Sequence, residues 1–144
     1  MLVYGDSLSA AYGLAQEQGW VSLLARRLHA EKPDYKVANA SISGETTHGG
    51  VSRIEGALNT HRPAVVVVEL GGNDGLRGLP ASAVEQNLRG ILQRIQERGA
   101  KAMLPGMPIP ESYGRDYVRE FEAVYPRLAS EFSVAFVPFF MQGV

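Results

Sequence analysis

Leu2-Val3-Tyr4-Gly5-Asp6-Ser7-Leu8-Ser9 runs from apolar to polar within a few residues, which predicts a strand that starts almost at the first residue and ends beside a serine. In an open α/β sheet, ligands collect in the crevice beyond the carboxyl ends of the strands. Gly5 permits a tight turn there and presents Ser7 at the mouth of that crevice. A serine hydroxyl becomes an effective nucleophile only when a base takes its proton and donors hold the oxyanion that follows. Taken alone, the serine also fits a helix N-cap or a phosphate-binding turn. Asp6 and Ser9 read as structural, capping a following helix or fixing the turn.

Two further strand ends carry candidate donors. Val37 to Ala40 leads into Ile42-Ser43-Gly44, and Val65 to Leu70 leads into Gly71-Gly72-Asn73-Asp74. Ala64 to Leu70, with its consecutive valines, is the kind of apolar run found in a central parallel strand covered on both faces. A glycine lets a peptide N–H approach a bound oxygen, and an asparagine supplies a neutral donor. Gly44 alone reads as a turn glycine. Asp74 reads as a carboxylate bracing its loop, and Glu69, inside the valine run, needs a partner if buried.

Apolar residues at helical spacing predict helices over Trp20 to Glu31, ended by Pro33, and through Val51, Ile54 and Leu58, closed by Pro63. A third spans Ser82 to Arg98, with Ser82 as N-cap, Glu85 completing a capping box and Gly99 as the stop. A fourth spans Asp116 to Phe132, where Pro126 should kink or divide it. With strands at Tyr35 to Ala40, Ala102 to Leu104 and Val134 to Val137, five strands alternate with four helices. That pattern predicts an α/β fold, a flavodoxin-like three-layer sandwich with a parallel sheet ordered 2-1-3-4-5.

Gly-Asp-Ser-Leu-Ser, Asn-Ala-Ser-Ile-Ser-Gly (39–44) and Glu-Leu-Gly-Gly-Asn-Asp-Gly-Leu-Arg-Gly (69–78) closely resemble, in order and spacing, the first three signature blocks of the SGNH (GDSL) hydrolases. The likeness continues through Ser112-Tyr113-Gly114-Arg115 and Val137-Pro138-Phe139-Phe140-Met141, and is greatest to the branch of thioesterases, lysophospholipases and arylesterases. The resemblance implies a serine ester hydrolase acting on carboxylic esters and thioesters, with Ser7 as nucleophile and Gly44 and Asn73 in the oxyanion hole. It implies the same strand order, no metal or organic cofactor, and a periplasmic or secreted location. Leu76, Leu79 and Pro80, with Met107, Pro108, Ile109 and Pro110, offer apolar walls suited to an acyl chain, or simply pack their loops onto the domain.

The chain of 144 residues, 45% of them apolar, suits a single domain. Basic and acidic residues nearly balance, 14 against 15, so nothing in the charge favours a nucleic-acid or anionic-membrane partner. No apolar run reaches the roughly 18 residues of a membrane span, and no basic-then-apolar leader precedes the first strand. Without cysteine there is no disulfide framework and no thiolate nucleophile.

The family's Asp-x-x-His pair, the source of its general base and the partner Asp, occurs nowhere in residues 1–144. His29 and His61 read as solvated helix residues. His48, four positions past Gly44, is a weaker candidate base. The chain is therefore expected to be a C-terminally incomplete domain lacking a last loop and helix, with an apolar strip of sheet left uncovered. The alternative is a non-catalytic acyl- or glycan-binding module that keeps the crevice without the base. A flavodoxin-like phosphate binder has less support, because Gly-Asp-Ser-Leu-Ser is not a P-loop or dinucleotide fingerprint.

Overall fold

The computed structural model describes residues 1–139, so Phe140 and Met141 lie outside the described residues. The strands are β1 (Leu2–Gly5), β2 (Ala38–Asn39), β3 (Val65–Glu69), β4 (Lys101–Pro105) and β5 (Ala135–Val137). They form one all-parallel sheet in the order β2-β1-β3-β4-β5, as the sequence predicts. The helices are α1 (Trp20–Glu31), α2 (Thr47–His61), α3 (Gly72–Leu76), α4 (Ala81–Glu97) and α5 (Arg115–Phe132).

Registration of Leu2 with Val66, and of Val66 with Ala102, puts Leu2, Tyr4, Val66, Val68, Ala102 and Leu104 on one face. These residues join Ile54 and Leu58 of α2, Leu88, Ile91 and Ile95 of α4, and Phe121, Tyr125 and Leu128 of α5 in a single buried core. The other face is covered unevenly. Along it Val3 and Val67 are buried, Met103 is half-buried and Ala135 is exposed, so cover thins from β1 toward β5. Here α1 buries only Val21, while Trp20, Leu24 and Leu28 are half-buried and Leu23 is 50% exposed.

Several local expectations are corrected. The segment after Ser9 is a run of turns with a short 3-10 stretch at Gln16–Gln18, not a helix that Asp6 or Ser9 could cap. The second strand shrinks to Ala38–Asn39 at the sheet edge. Ser82 is not an N-cap: Pro80 occupies that position, its fixed φ starts the helix, and its carbonyl accepts from Ala83 and Val84. Glu85 is instead drawn across to Arg127 of α5 at 2.5 Å. Helix α5 continues through Pro126 undivided, because its apolar face is held in the core on both sides of the proline. Gly99 does end α4, with φ +73° just past the cap.

The loop after β3 contains a feature the sequence did not predict. Residues 72–76 form the short helix α3, entered through Gly71 at φ +118°. A Cβ at Gly71 would run into the Tyr125 hydroxyl, which donates to the Leu70 carbonyl at 2.7 Å. Tyr125 is fully buried, so this bond anchors the start of the loop from inside the core. Tyr125→Phe should cost about 1–3 kcal/mol by leaving a buried acceptor unpaired. Gly71→Ala should cost more, through both clash and backbone strain. Urea unfolding midpoints check both, and an unchanged midpoint for Tyr125→Phe would show that the bond does not anchor the loop.

Candidate active site

Ser7 follows β1 directly, in a turn where the Asp6 carbonyl accepts from Ser9 N–H at 3.2 Å and Ala10 N–H at 2.9 Å. The Asp6 carboxylate accepts from Leu8 N–H at 3.0 Å. Ser7 is half-buried and borders a cavity of about 230 Å³ at the carboxyl end of the sheet. Asn73 and Gly72, from the start of α3, form a second wall. Leu76, Met107, Pro108 and Ile109 close the cavity with apolar surface.

The Asn73 side chain is aimed by its own hydrogen bond. Its Nδ2 donates to the Glu45 carbonyl at 2.9 Å, leaving the second amide proton for a ligand. Glu45 in turn is gripped by Arg53 of α2, Nε to Oε2 at 2.6 Å. Arg53 also donates to the Ala40 carbonyl at 3.2 Å and lies over the Tyr4 ring, 4.8 Å from its centroid. One cation thus spans the whole turn that contains Gly44. Gly44 has φ +81°, is exposed, and is not among the residues bordering the cavity.

The Gly44 turn and the Ser7 turn are cross-linked. Gly5 N–H donates to Ser41 Oγ at 3.0 Å, Ile42 N–H to the Gly5 carbonyl at 3.0 Å, and Asn39 Nδ2 to the Ser9 carbonyl at 2.8 Å. Asp74 braces the next connection. It accepts the Thr47 N–H at 2.9 Å and the Thr47 hydroxyl at 2.7 Å, tying α3 to the start of α2, and Asn87 donates to the same hydroxyl at 3.1 Å. That matches the bracing role read from the sequence.

Some predicted residues lie elsewhere. Leu79, Pro80 and Pro110 do not border the cavity, and all three are exposed. The Leu79 carbonyl instead accepts from the Tyr117 hydroxyl at 2.5 Å, and the Leu76 carbonyl from the Tyr113 hydroxyl at 2.7 Å. Met107 and Ile109 serve both readings, since they line the cavity and belong to the core. No histidine borders this cavity among the described residues. His48 is exposed in the first turn of α2, His29 is exposed on α1, and His61 lies by Pro63 and Ala64 at the opposite, amino-terminal edge of the sheet. Among the described residues no cluster of His, Asp and Glu suits a metal ion, and no helix is long and apolar enough to cross a membrane.

Arg53, Glu45, Tyr113 and Tyr117 were not singled out from sequence. Tyr113 lies in the fourth matched block, but nothing in the spacing says that its hydroxyl reaches back to Leu76. Arg53 lies one residue before Ile54 on a helix whose apolar face alone is periodic.

The site can be compared with known proteins. The chain is 49% identical to Esterase TesA of Pseudomonas aeruginosa over 144 residues, all of this chain and 72% of that protein. It is 44% identical over 144 residues to Thioesterase 1/protease 1/lysophospholipase L1 of Escherichia coli strain K12, of which it covers 68%. A crystal structure of TesA superposes with a TM-score of 0.95 at 50% identity, covering 99% of this chain and 79% of that one. Residues 3–143 match a family model, and the chain, with Ser7 and Asn73 both bordering one partly apolar cavity, belongs to the GDSL-like lipase/acylhydrolase family.

Proposed function

We propose that Ser7 is the nucleophile of this hydrolase and that Asn73 and the Gly44 turn hold the oxyanion. The observation that supports it most is that Ser7 and Asn73 share the walls of one cavity, with the amide fixed by Glu45. Ser7 Oγ bonds to the acyl carbonyl carbon and its proton passes to a general base. The carbonyl oxygen becomes an oxyanion held by the Ser7 N–H and Asn73 Nδ2, to which the resemblance adds the Gly44 N–H from the exposed turn outside the cavity lining. Collapse breaks the bond to the leaving alkoxide or thiolate, which takes the proton, and water then releases the acid from the acyl-enzyme. The resemblance supplies that base from an Asp-x-x-His pair, which has no counterpart in residues 1–144.

The substrates are carboxylic esters and thioesters of acyl chains, whose chain would lie along Leu76, Met107 and Ile109. The names of the relatives, esterase and thioesterase with lysophospholipase, support that class. The same resemblance supports a periplasmic location.

In the protein as its source makes it, Ser7→Ala should abolish turnover of aryl-ester and acyl-CoA substrates while sparing binding. Asn73→Ala should lower kcat by about a hundredfold or more with little change in KM, because its donor is aimed at charge that develops in the transition state. Binding of a fatty acid with no turnover by the unaltered protein would favour the acyl-binding module instead.

Arg53 positions the oxyanion turn without touching substrate. Arg53→Met should lower kcat between about tenfold and a hundredfold at nearly constant KM. Arg53→Lys should recover only part, because lysine cannot bridge Glu45 and the Ala40 carbonyl with one planar group. Steady-state kinetics decide this, and an unchanged kcat for Arg53→Met refutes the role.

A further inference from the structure

Beneath the Ser7 turn lies a pair of carboxyl groups to which ester hydrolysis gives no part. Asp6 is 3% exposed and Glu69 is fully buried. They meet because Gly5 registers with Glu69 across β1 and β3. Glu69 Oε1 accepts the Ser9 hydroxyl at 2.5 Å and the Asp6 N–H at 3.4 Å. A Cβ at position 5 would stand 2.7 Å from both Glu69 Oε1 and Ser9 Oγ, so only glycine lets the carboxyl in.

The second oxygen, Glu69 Oε2, is buried and meets no donor. Asp6 directly follows the Gly5 that registers with Glu69, so the two buried carboxyl groups are enclosed at the same strand exits, joined through the Asp6 N–H. Two carboxyl groups enclosed together away from water do not both ionise, because each charge loses its hydration and repels the other. Burial raises the Asp6 carboxyl too, but Asp6 accepts from Leu8 N–H, which favours its charged form. Glu69 lies deeper, and burial with the facing Asp6 charge raises its pKa to about 9. The other groups acting on the pair are Ser9, the Asp74 carboxyl from α3 and the Tyr125 hydroxyl from α5, none of them a cation.

We propose that Glu69 is a positioning residue for the hydrolysis: it stays protonated in the working enzyme, bridges to Asp6, and fixes the turn that carries Ser7. This rests on the assignment of Ser7 as nucleophile. Loss of the proton leaves two negative charges enclosed at the same strand exits, which pulls Asp6 from Leu8 N–H and loosens the backbone on both sides of Ser7. The result is an alkaline limit on turnover that does not belong to the general base.

The sign of the linkage follows. Above the ordinary carboxyl range, near 4.5, the unfolded chain has lost this proton and the folded chain keeps it until its raised pKa. Stability contributed by the proton is full below the unfolded pKa and is lost as pH rises through the folded one.

The test is an infrared titration of the protein alongside its kinetics. A buried carboxylic C=O band should be present at about pH 7, vanish in the alkaline range, and be missing from Glu69→Gln, whose amide preserves both contacts. Refolding at about pH 7 should take up about one proton per molecule more in the parent than in the variant. Parent kcat should fall about tenfold per pH unit above the same titration, and Glu69→Gln should lose that limb. Absence of the band at about pH 7, or the same alkaline limb in both proteins, overturns the proposal. If Glu69→Gln fails to fold, the parent decides alone: a band that titrates with kcat supports the proposal and one that does not overturns it. Ser7→Ala separates the two readings, since it should keep the infrared titration and lose turnover; turnover surviving in Ser7→Ala removes the nucleophile and leaves the buried proton standing.

Discussion

Parallel pairing of β1 with β3 is the constraint on which the site depends. Leu2 to Gly5 runs in step with Val66 to Glu69, so the two strands end together and their exits share one rim. Ser7 is two residues past one exit and Asn73 four past the other, close enough to share a cavity wall. Slipping β1 by one residue against β3 would turn Leu2 and Tyr4 out of the core and carry Ser9 away from Glu69. The burial of Leu2, Tyr4, Val66 and Val68 therefore fixes the chemistry as well as the fold.

Around that rim the polar groups are nearly all committed to one another. Ser41 and Asn39 connect the β2 exit to β1, Asp74 with Thr47 connects α3 to α2, and Arg53 spans Ala40 and Glu45. Buried polar groups left unpaired cost more than paired ones return, so each cross-link is strongly specified once its partners are enclosed. In the oxyanion role proposed for Asn73 the consequence is preorganisation, because Glu45 already holds half of its amide. Electrostatic stabilisation of an oxyanion depends on donors that need not reorganise at the moment of reaction.

The sheet was legible because valine runs and strand-to-turn transitions are local signals. The order of strands and the place of Ser7 and Asn73 follow from those signals with the matched blocks. What stayed hidden depends on distance in the chain. Glu69 could be seen to need a partner, but Ser9 and Asp6 become that partner only through a pairing of residues some sixty positions apart. The bond from Tyr117 to Leu79 likewise depends on how α5 crosses the loop after β3, and no periodicity encodes it. Ser82 shows the opposite failure, where a strong local capping pattern lost to a proline two positions earlier and to an ion pair with Arg127.

The cavity also divides its labour by element. Its reactive side is built from strand exits locked by hydrogen bonds, while its apolar side comes from Leu76 and the 107–109 loop. Met107 and Ile109 are buried in the same cluster as Phe121 and Leu104, whereas Leu76 is 52% exposed. Changing the depth of the apolar wall through Met107 or Ile109 therefore changes core packing, with the cost that cavities and overpacking carry. Leu76 carries no such penalty beyond its carbonyl bond to Tyr113, which any side chain preserves. With the acyl chain along this wall, as proposed, acyl preference has its freest position at Leu76, and the depth of the pocket is tied to the stability of the fold.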